Sequence, residues 1–210
     1  NEANVYVGSN DGNLYCIDLD TGYQKWCIQT GDFVISKPAI TSEGNIVFGS
    51  GDEFVYCASA NDGNVIWNTK LGGSVLSDPL TSEGRVFIGC GDGKIYCLNS
   101  ASGEIVWEYQ TDGLMRQRPI LENGILYAFV RDTYIWYAID ASTGQLIWRG
   151  NANTDESLFV CGDVRPVIAN GKLWCIDAQN TRPAYLSLDT GELAWTSTLE
   201  KVSSRGMTTN

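Results

Sequence analysis

The chain contains no histidine, which restricts its chemistry at the outset. A Ser-His-Asp or Cys-His relay and a histidine-ligated metal are excluded. Two Asp-Thr-Gly runs, Asp20-Thr21-Gly22 and Asp189-Thr190-Gly191, offer carboxylates of the kind that share a proton in acid–base work. The same slot reads Asn61-Asp62-Gly63, Ala101-Ser102-Gly103 and Ser142-Thr143-Gly144 elsewhere. That is tight-turn composition, so these carboxylates are read as turn residues. Asp18 and Asp20 resemble the start of a calcium loop, but the position that needs an acidic ligand holds Gln29. Gly89-Cys90-Gly91-Asp92-Gly93 is glycine-rich like a phosphate loop. No helical pattern follows it, and it aligns with Gly49-Ser50-Gly51-Asp52 and Gly8-Ser9-Asn10-Asp11-Gly12. A hairpin turn that requires positive φ explains all three.

These turns belong to a repeat. The spacing Gly-x-x-x-Trp recurs as Gly22–Trp26, Gly63–Trp67, Gly103–Trp107, Gly144–Trp148 and Gly191–Trp195. Ahead of each glycine lies an alternating segment, such as LYCIDLDTG or WYAIDASTG, and after the first four tryptophans come Pro38, Pro79, Pro119 and Pro166. A short apolar run follows each proline: NIVFGS, RVFIGC, ILYAFV and KLWCID. Runs of this length, β-rich and bounded by Gly, Asn, Asp or Ser, predict strands joined by turns. Each repeat therefore supplies four antiparallel strands, the content of one propeller blade. A lone blade cannot cover both faces, and tryptophans that bury about 150–250 Å² each are the natural filler between neighbours.

The expectation is an all-β chain: a single domain over residues 1–210, a β-propeller of about five four-stranded blades. Its repeats lie near 5–45, 46–85, 86–125, 126–172 and 173–210. The C-terminal KVSSRGMTTN resembles another proline-type strand and the N-terminal NVYVGSNDG starts at the next one. The C-terminal segment is thus expected to complete the first blade and close the ring. The opening NEANVYVG already reads as a strand without an initiator Met, which suggests a mature form, an excised piece or part of a larger chain.

The segment A-x-D-x-x-T-G-x-x-x-W, complete in AIDASTGQLIW (138–148) and altered only at its first residue in CIDLDTGYQKW (16–26), resembles the tryptophan-docking motif of quinoprotein-type (PQQ-like repeat) β-propellers. The resemblance covers the whole chain and is specific for the repeat, not for chemistry. It implies a scaffold or binding module. It also admits a pyrroloquinoline-quinone (PQQ)-dependent oxidoreductase, or the propeller part of a larger enzyme. The catalytic members are expected to carry an adjacent Cys-Cys pair, which is missing here. The chain is accordingly placed in the non-catalytic branch, with no catalytic residue, metal or cofactor assigned.

What departs from the repeat is basic. Aligned before the prolines stand Lys37, Asp78, Arg118 and Arg165, with Arg205 at the matching place in the fifth repeat, and Arg116 lies two residues earlier on the same strand face. In a propeller this strand lines the central channel, so scarce cations gather at one opening of a chain with 14 Lys+Arg against 25 Asp+Glu, net charge −11. Guanidinium groups there suit a carboxylate or phosphate; pairing with Asp32, Asp78, Asp112 or Asp163 is the alternative. Two insertions, within 149–166 and 176–185, emerge on the same side and add Asn153, Asp155, Glu156, Trp174 and Arg182 to a candidate binding patch. The partner is read as a protein or a small anionic ligand. The acidic balance opposes nucleic acid, and no apolar run is long enough to span a membrane.

The seven cysteines are an odd number, which leaves a thiol unpaired and points toward a reducing compartment; the resemblance also admits a periplasmic or secreted one. Cys16, Cys57 and Cys97 follow a tyrosine at the same place in successive repeats. Sheets stack about 10 Å apart, beyond disulfide reach, so these cysteines are expected as buried small apolar residues.

Overall fold

A computed structural model describes residues 3–130, 132–133, 135–151, 166–177 and 182–196. The runs read from the sequence as strands all pair antiparallel with their chain neighbours. The first sheet holds β1 (Asn4–Gly8), β2 (Asn13–Asp18) and β3 (Gln24–Gln29). The second holds β4 (Ala39–Ile40), β5 (Ile46–Gly49), β6 (Phe54–Ala58) and β7 (Val65–Lys70). The third holds β8 (Leu80–Ser82), β9 (Arg85–Gly89), β10 (Lys94–Asn99) and β11 (Ile105–Gln110). The fourth holds β12 (Ile120–Glu122), β13 (Ile125–Val130), β14 (Ile135–Asp140) and β15 (Leu146–Asn151). The fifth holds β16 (Val167–Ala169), β17 (Lys172–Asp177), β18 (Arg182–Ser187) and β19 (Leu193–Thr196). No helix occurs among the described residues.

The sheets are offset from the sequence repeats. The short strand after each proline ends one repeat but heads the next sheet, so the chain passes from the last strand of one sheet into the first of the next. The register also shifts at one place in every sheet, between Cys16/Ile17, Cys57/Ala58, Cys97/Leu98, Ala138/Ile139 and Tyr185/Leu186. A bulge at this position bends the strand next to the pairs Cys16↔Trp26, Cys57↔Trp67, Cys97↔Trp107 and Ala138↔Trp148.

Strict alternation divides the core by interface. In the fourth sheet Leu126, Ala128, Val130, Tyr137 and Ile139 pack with the third sheet's Phe87, Ile95, Cys97 and Trp107. Their neighbours Tyr127, Phe129, Trp136 and Ala138 pack instead with Leu173, Ala184 and Leu186 of the fifth. The first and second sheets, and the second and third, share clusters of the same kind. The second, third and fourth sheets are apolar on both sides because each side meets a neighbour. The outer side of the first sheet differs among the described residues: Val5 and Val7 are 36% and 44% exposed, whereas the matching Val86 and Ile88 are fully buried. The segment expected to close the ring, residues 201–210, lies outside the described residues. The cysteines behave as expected: Cys16, Cys57 and Cys97 are buried and free.

Candidate functional site

The recurring turns serve structure. Asp18 Oδ1 accepts from the Thr21 N–H and hydroxyl, both at 2.8 Å, and Asp140 Oδ1 accepts from the Ser142 hydroxyl at 2.6 Å and the Thr143 N–H at 2.8 Å. The Thr21 hydroxyl bond holds Asp18 down at about 2, and the Ser142 hydroxyl does the same for Asp140. Four tryptophans of the Gly-x-x-x-Trp repeat then lock neighbouring sheets. The indole N–H of Trp26 donates to the Ala60 carbonyl (3.2 Å), Trp67 to Ser100 (2.9 Å), Trp107 to Ala141 (3.0 Å) and Trp148 to Leu188 (2.7 Å). Each ring also covers the glycine of the following sheet. A Cβ on Gly63 would meet Trp26 at 2.8 Å, on Gly103 Trp67 at 2.6 Å and on Gly144 Trp107 at 2.7 Å, and Gly191 lies equally close under Trp148. Gly22 heads this series and meets no such ring among the described residues; the side chain of Trp195 lies outside them.

A second set of carboxylates, which the turn reading passed over, caps the hairpins. Tyr15, Tyr56 and Tyr96 donate their hydroxyls to Asp11, Asp52 and Asp92 at 2.7, 2.7 and 2.6 Å. Asp52 Oδ2 also accepts the Gly31 N–H at 2.7 Å from the previous connection. The signal was an Asp-x-x-x-Tyr spacing repeated three times. Burial, then the Asp52 bond, raises the Tyr56 phenol, and burial, then Asp112, pushes Tyr137 up to about 12. Burial likewise raises the thiols of Cys57 and Cys90 to about 11 and 12, which keeps them protonated and poor nucleophiles. Among the described residues no group of three His, Cys, Asp or Glu converges on a point.

The segments before the prolines are neighbours. The Lys37 N–H donates to Asp78 Oδ1 at 2.7 Å, and the Ser77 hydroxyl donates to the Gln117 carbonyl at 3.2 Å. Thr81 Oγ1 adds a bond to the Ile40 carbonyl at 2.8 Å, which ties β8 to β4. Lys37, Arg116 and Arg118 are exposed on these segments, and none forms an ion pair among the described residues. Of the acids that sequence position offers them, Asp112 is taken by Arg149 and by Tyr137, both at 2.8 Å. Arg116 borders a pocket of about 190 Å³ with Ser74, Leu76, Gly91, Leu114 and Met115. Trp174 lies within β17, its ring 5.1 Å from Tyr185, with the Lys172 ammonium 4.3 Å from the Tyr185 ring. Arg182 opens β18 opposite Asp177. Asn153, Asp155, Glu156, Arg165 and Arg205 lie outside the described residues.

Antiparallel sheets packed in chain order, with a tryptophan of one seated on a glycine of the next, define a PQQ-like β-propeller fold. The chain belongs to the family described as outer membrane protein assembly factor BamB, whose model matches residues 35–93 and 55–208. Among solved structures it is similar to BamB from Moraxella catarrhalis, with a TM-score of 0.78 and 16% identity over 96% of this chain and 62% of that one. It is also similar to the computationally designed Ika8 protein, with a TM-score of 0.74 and 16% identity over 96% of this chain and 60% of that one. The chain thus spans less than two thirds of the length of either structure, and identity at this level is a likeness of fold. No curated protein matches the sequence. No helix among the described residues is long and apolar enough to cross a membrane.

Proposed function

We propose that this chain is a non-catalytic protein-interaction scaffold, and that an acidic segment of a partner docks at the mouth formed by the pre-proline segments. The observation that carries the reading is the pair of bonds from Lys37 to Asp78 and from Ser77 to Gln117. They join the segments bearing Lys37, Arg116 and Arg118 into one rim whose cations have no ion-pair partner among the described residues. A basic rim on a molecule of net charge −11 steers a complementary partner and orients it, and planar guanidinium groups favour carboxylates over a point contact. Arg165 and Arg205 occupy the matching sequence positions and extend the set, with the insertion residues Asn153, Asp155, Glu156 and Arg182 as a lip. Membership of a family described as an assembly factor supports a protein partner over a small ligand.

The reading is tested by fluorescence anisotropy with a labelled hexaglutamate peptide. Binding is expected to weaken as sodium chloride rises from about 50 to about 300 mM and to fall at least about tenfold in Arg116→Ala/Arg118→Ala. No saturable binding, or equal affinity in the double variant, overturns it.

A further inference from the structure

The ends of the sheets opposite the proline segments carry the turns around 41–45, 82–85 and 122–125. Where the third and fourth sheets meet at this end, a pocket of about 280 Å³ opens, lined by residues that include Ser82, Arg85, Phe87, Asn123, Ile125 and Asp140. Arg85 opens β9 two residues before Phe87, so both side chains leave the same side of the strand, the side on which Phe87 packs toward the fourth sheet. Arg85 is half-buried. Its one partner among the described residues is the Cys97 sulfur, 3.7 Å from Nη1, a weak acceptor that leaves the other donors of the fork unused.

Two acids line the pocket, Glu83 and Asp140, and neither takes them: Glu83 is exposed and forms no ion pair with Arg85. Asp140 Oδ1 is engaged by the Ser142 N–H and hydroxyl (2.9 and 2.6 Å) and the Thr143 N–H and hydroxyl (2.8 and 2.9 Å), and no ion pair with Arg85 forms. The corresponding groove between the second and third sheets is satisfied internally, where the Ser100 hydroxyl reaches both Glu43 oxygens at 3.4 Å. In the next groove the matching residue is Ala141, which receives the Trp107 indole as Ser100 receives that of Trp67. The hydroxyl that would engage Glu83, the counterpart of Glu43, is gone there, and Arg85, with open donors, borders both grooves. The rest of the lining includes Leu121 and Ile125 beside Phe87, which is 2% exposed.

We infer that this groove binds a carboxylate carrying one apolar side chain: the charge is accepted by Arg85 and the side chain lies against Phe87, Leu121 and Ile125. The volume sets the size. Ligand pockets run from about 300 to about 1,000 Å³, so this one, at the low end, suits a single residue-sized group. That chemistry occurs at the C-terminal residue of a polypeptide and in a free aryl or alkyl acid.

The test is an NMR titration of the ¹⁵N-labelled chain with N-acetyl-phenylalanine, with its amide, and with a pentapeptide that ends in phenylalanine as the free acid. The acid is expected to give saturable shifts confined to amides near 82–87, 121–125 and 140–142. The amide should bind at least about tenfold more weakly. Arg85→Gln abolishes the response, while Arg116→Ala/Arg118→Ala leaves it unchanged, which separates this site from the basic rim. Should Arg85→Gln fail to fold, Arg85→Lys keeps the charge but loses the fork, and is expected to bind the acid several-fold more weakly. A pentapeptide at least about fivefold tighter than the single residue identifies a chain terminus as the source, and equal affinities identify a free acid. Equal binding of acid and amide, shifts centred elsewhere, or an undiminished response in the Arg85 variant overturns the inference.

Discussion

Gly103 shows what a single residue contributes here. Its φ is +74°, a conformation side chains adopt only under strain, and Trp67 lies where its Cβ would be, at 2.6 Å. Gly44 has a similar φ of +82° but nothing within 4 Å of its Cβ position. Gly44→Ala is therefore expected to lower stability by about 1 kcal/mol from backbone strain alone. Gly103→Ala should cost about 1–3 kcal/mol more, because the indole must also move. Urea midpoints of the two variants measure the difference, and equal losses would show that the ring yields freely. The Gly-x-x-x-Trp spacing was legible in the sequence, and so was the placement of tryptophans between neighbouring repeats. That Trp67 seats on the glycine of the following repeat, and not on Gly63 four residues away, was not, because the choice depends on how two sheets stack.

At the scale of the element, the hairpin between β5 and β6 does two jobs through one side chain. Asp52 accepts the Phe54 N–H at 3.1 Å and the Tyr56 hydroxyl at 2.7 Å within its own hairpin, and the Gly31 N–H at 2.7 Å from the connection before it. Asp52→Ala is expected to cost about 2 kcal/mol and Tyr56→Phe about 1 kcal/mol. The pair should couple by at least about 0.5 kcal/mol in a double-mutant cycle followed by chemical denaturation. Strict additivity would mean that the phenol and the carboxylate stabilise the hairpin independently. The fourth sheet shows why spacing alone could not foretell the pairing. Thr133 stands four residues before Tyr137, its hydroxyl oxygen is buried without a partner, and the phenol reaches Asp112 of the preceding connection instead. Turns and strands could be read locally; the donor that crosses from one sheet to another could not.

For the whole molecule, the core is a series of interface clusters, each built from two sheets adjacent in the chain, so stability accumulates between nearest neighbours. Over that core lies a surface of net charge −11. Ion pairs such as Lys70–Glu53 at 3.3 Å and Arg149–Asp112 at 2.8 Å, with side chains 63% and 44% and 58% and 46% exposed, are too open to offset its self-repulsion. Raising sodium chloride from about 20 to about 300 mM should therefore raise the Tm, because screening relieves repulsion more than it weakens exposed pairs. A falling Tm would reverse that ordering. The repeat, the strands and the burial of Cys16, Cys57 and Cys97 were determined by the sequence alone, since alternation and turn composition act within a few residues. Only the tertiary structure decided which acids remain for the arginines. Asp112 is drawn to Arg149, 37 residues away, while Arg116, close to it in sequence, pairs with no acid among the described residues. Arg85, unremarkable as the first residue of an apolar run, acquires its open groove only when the fourth sheet packs against the third, because that packing alone sets which donors stay unmet.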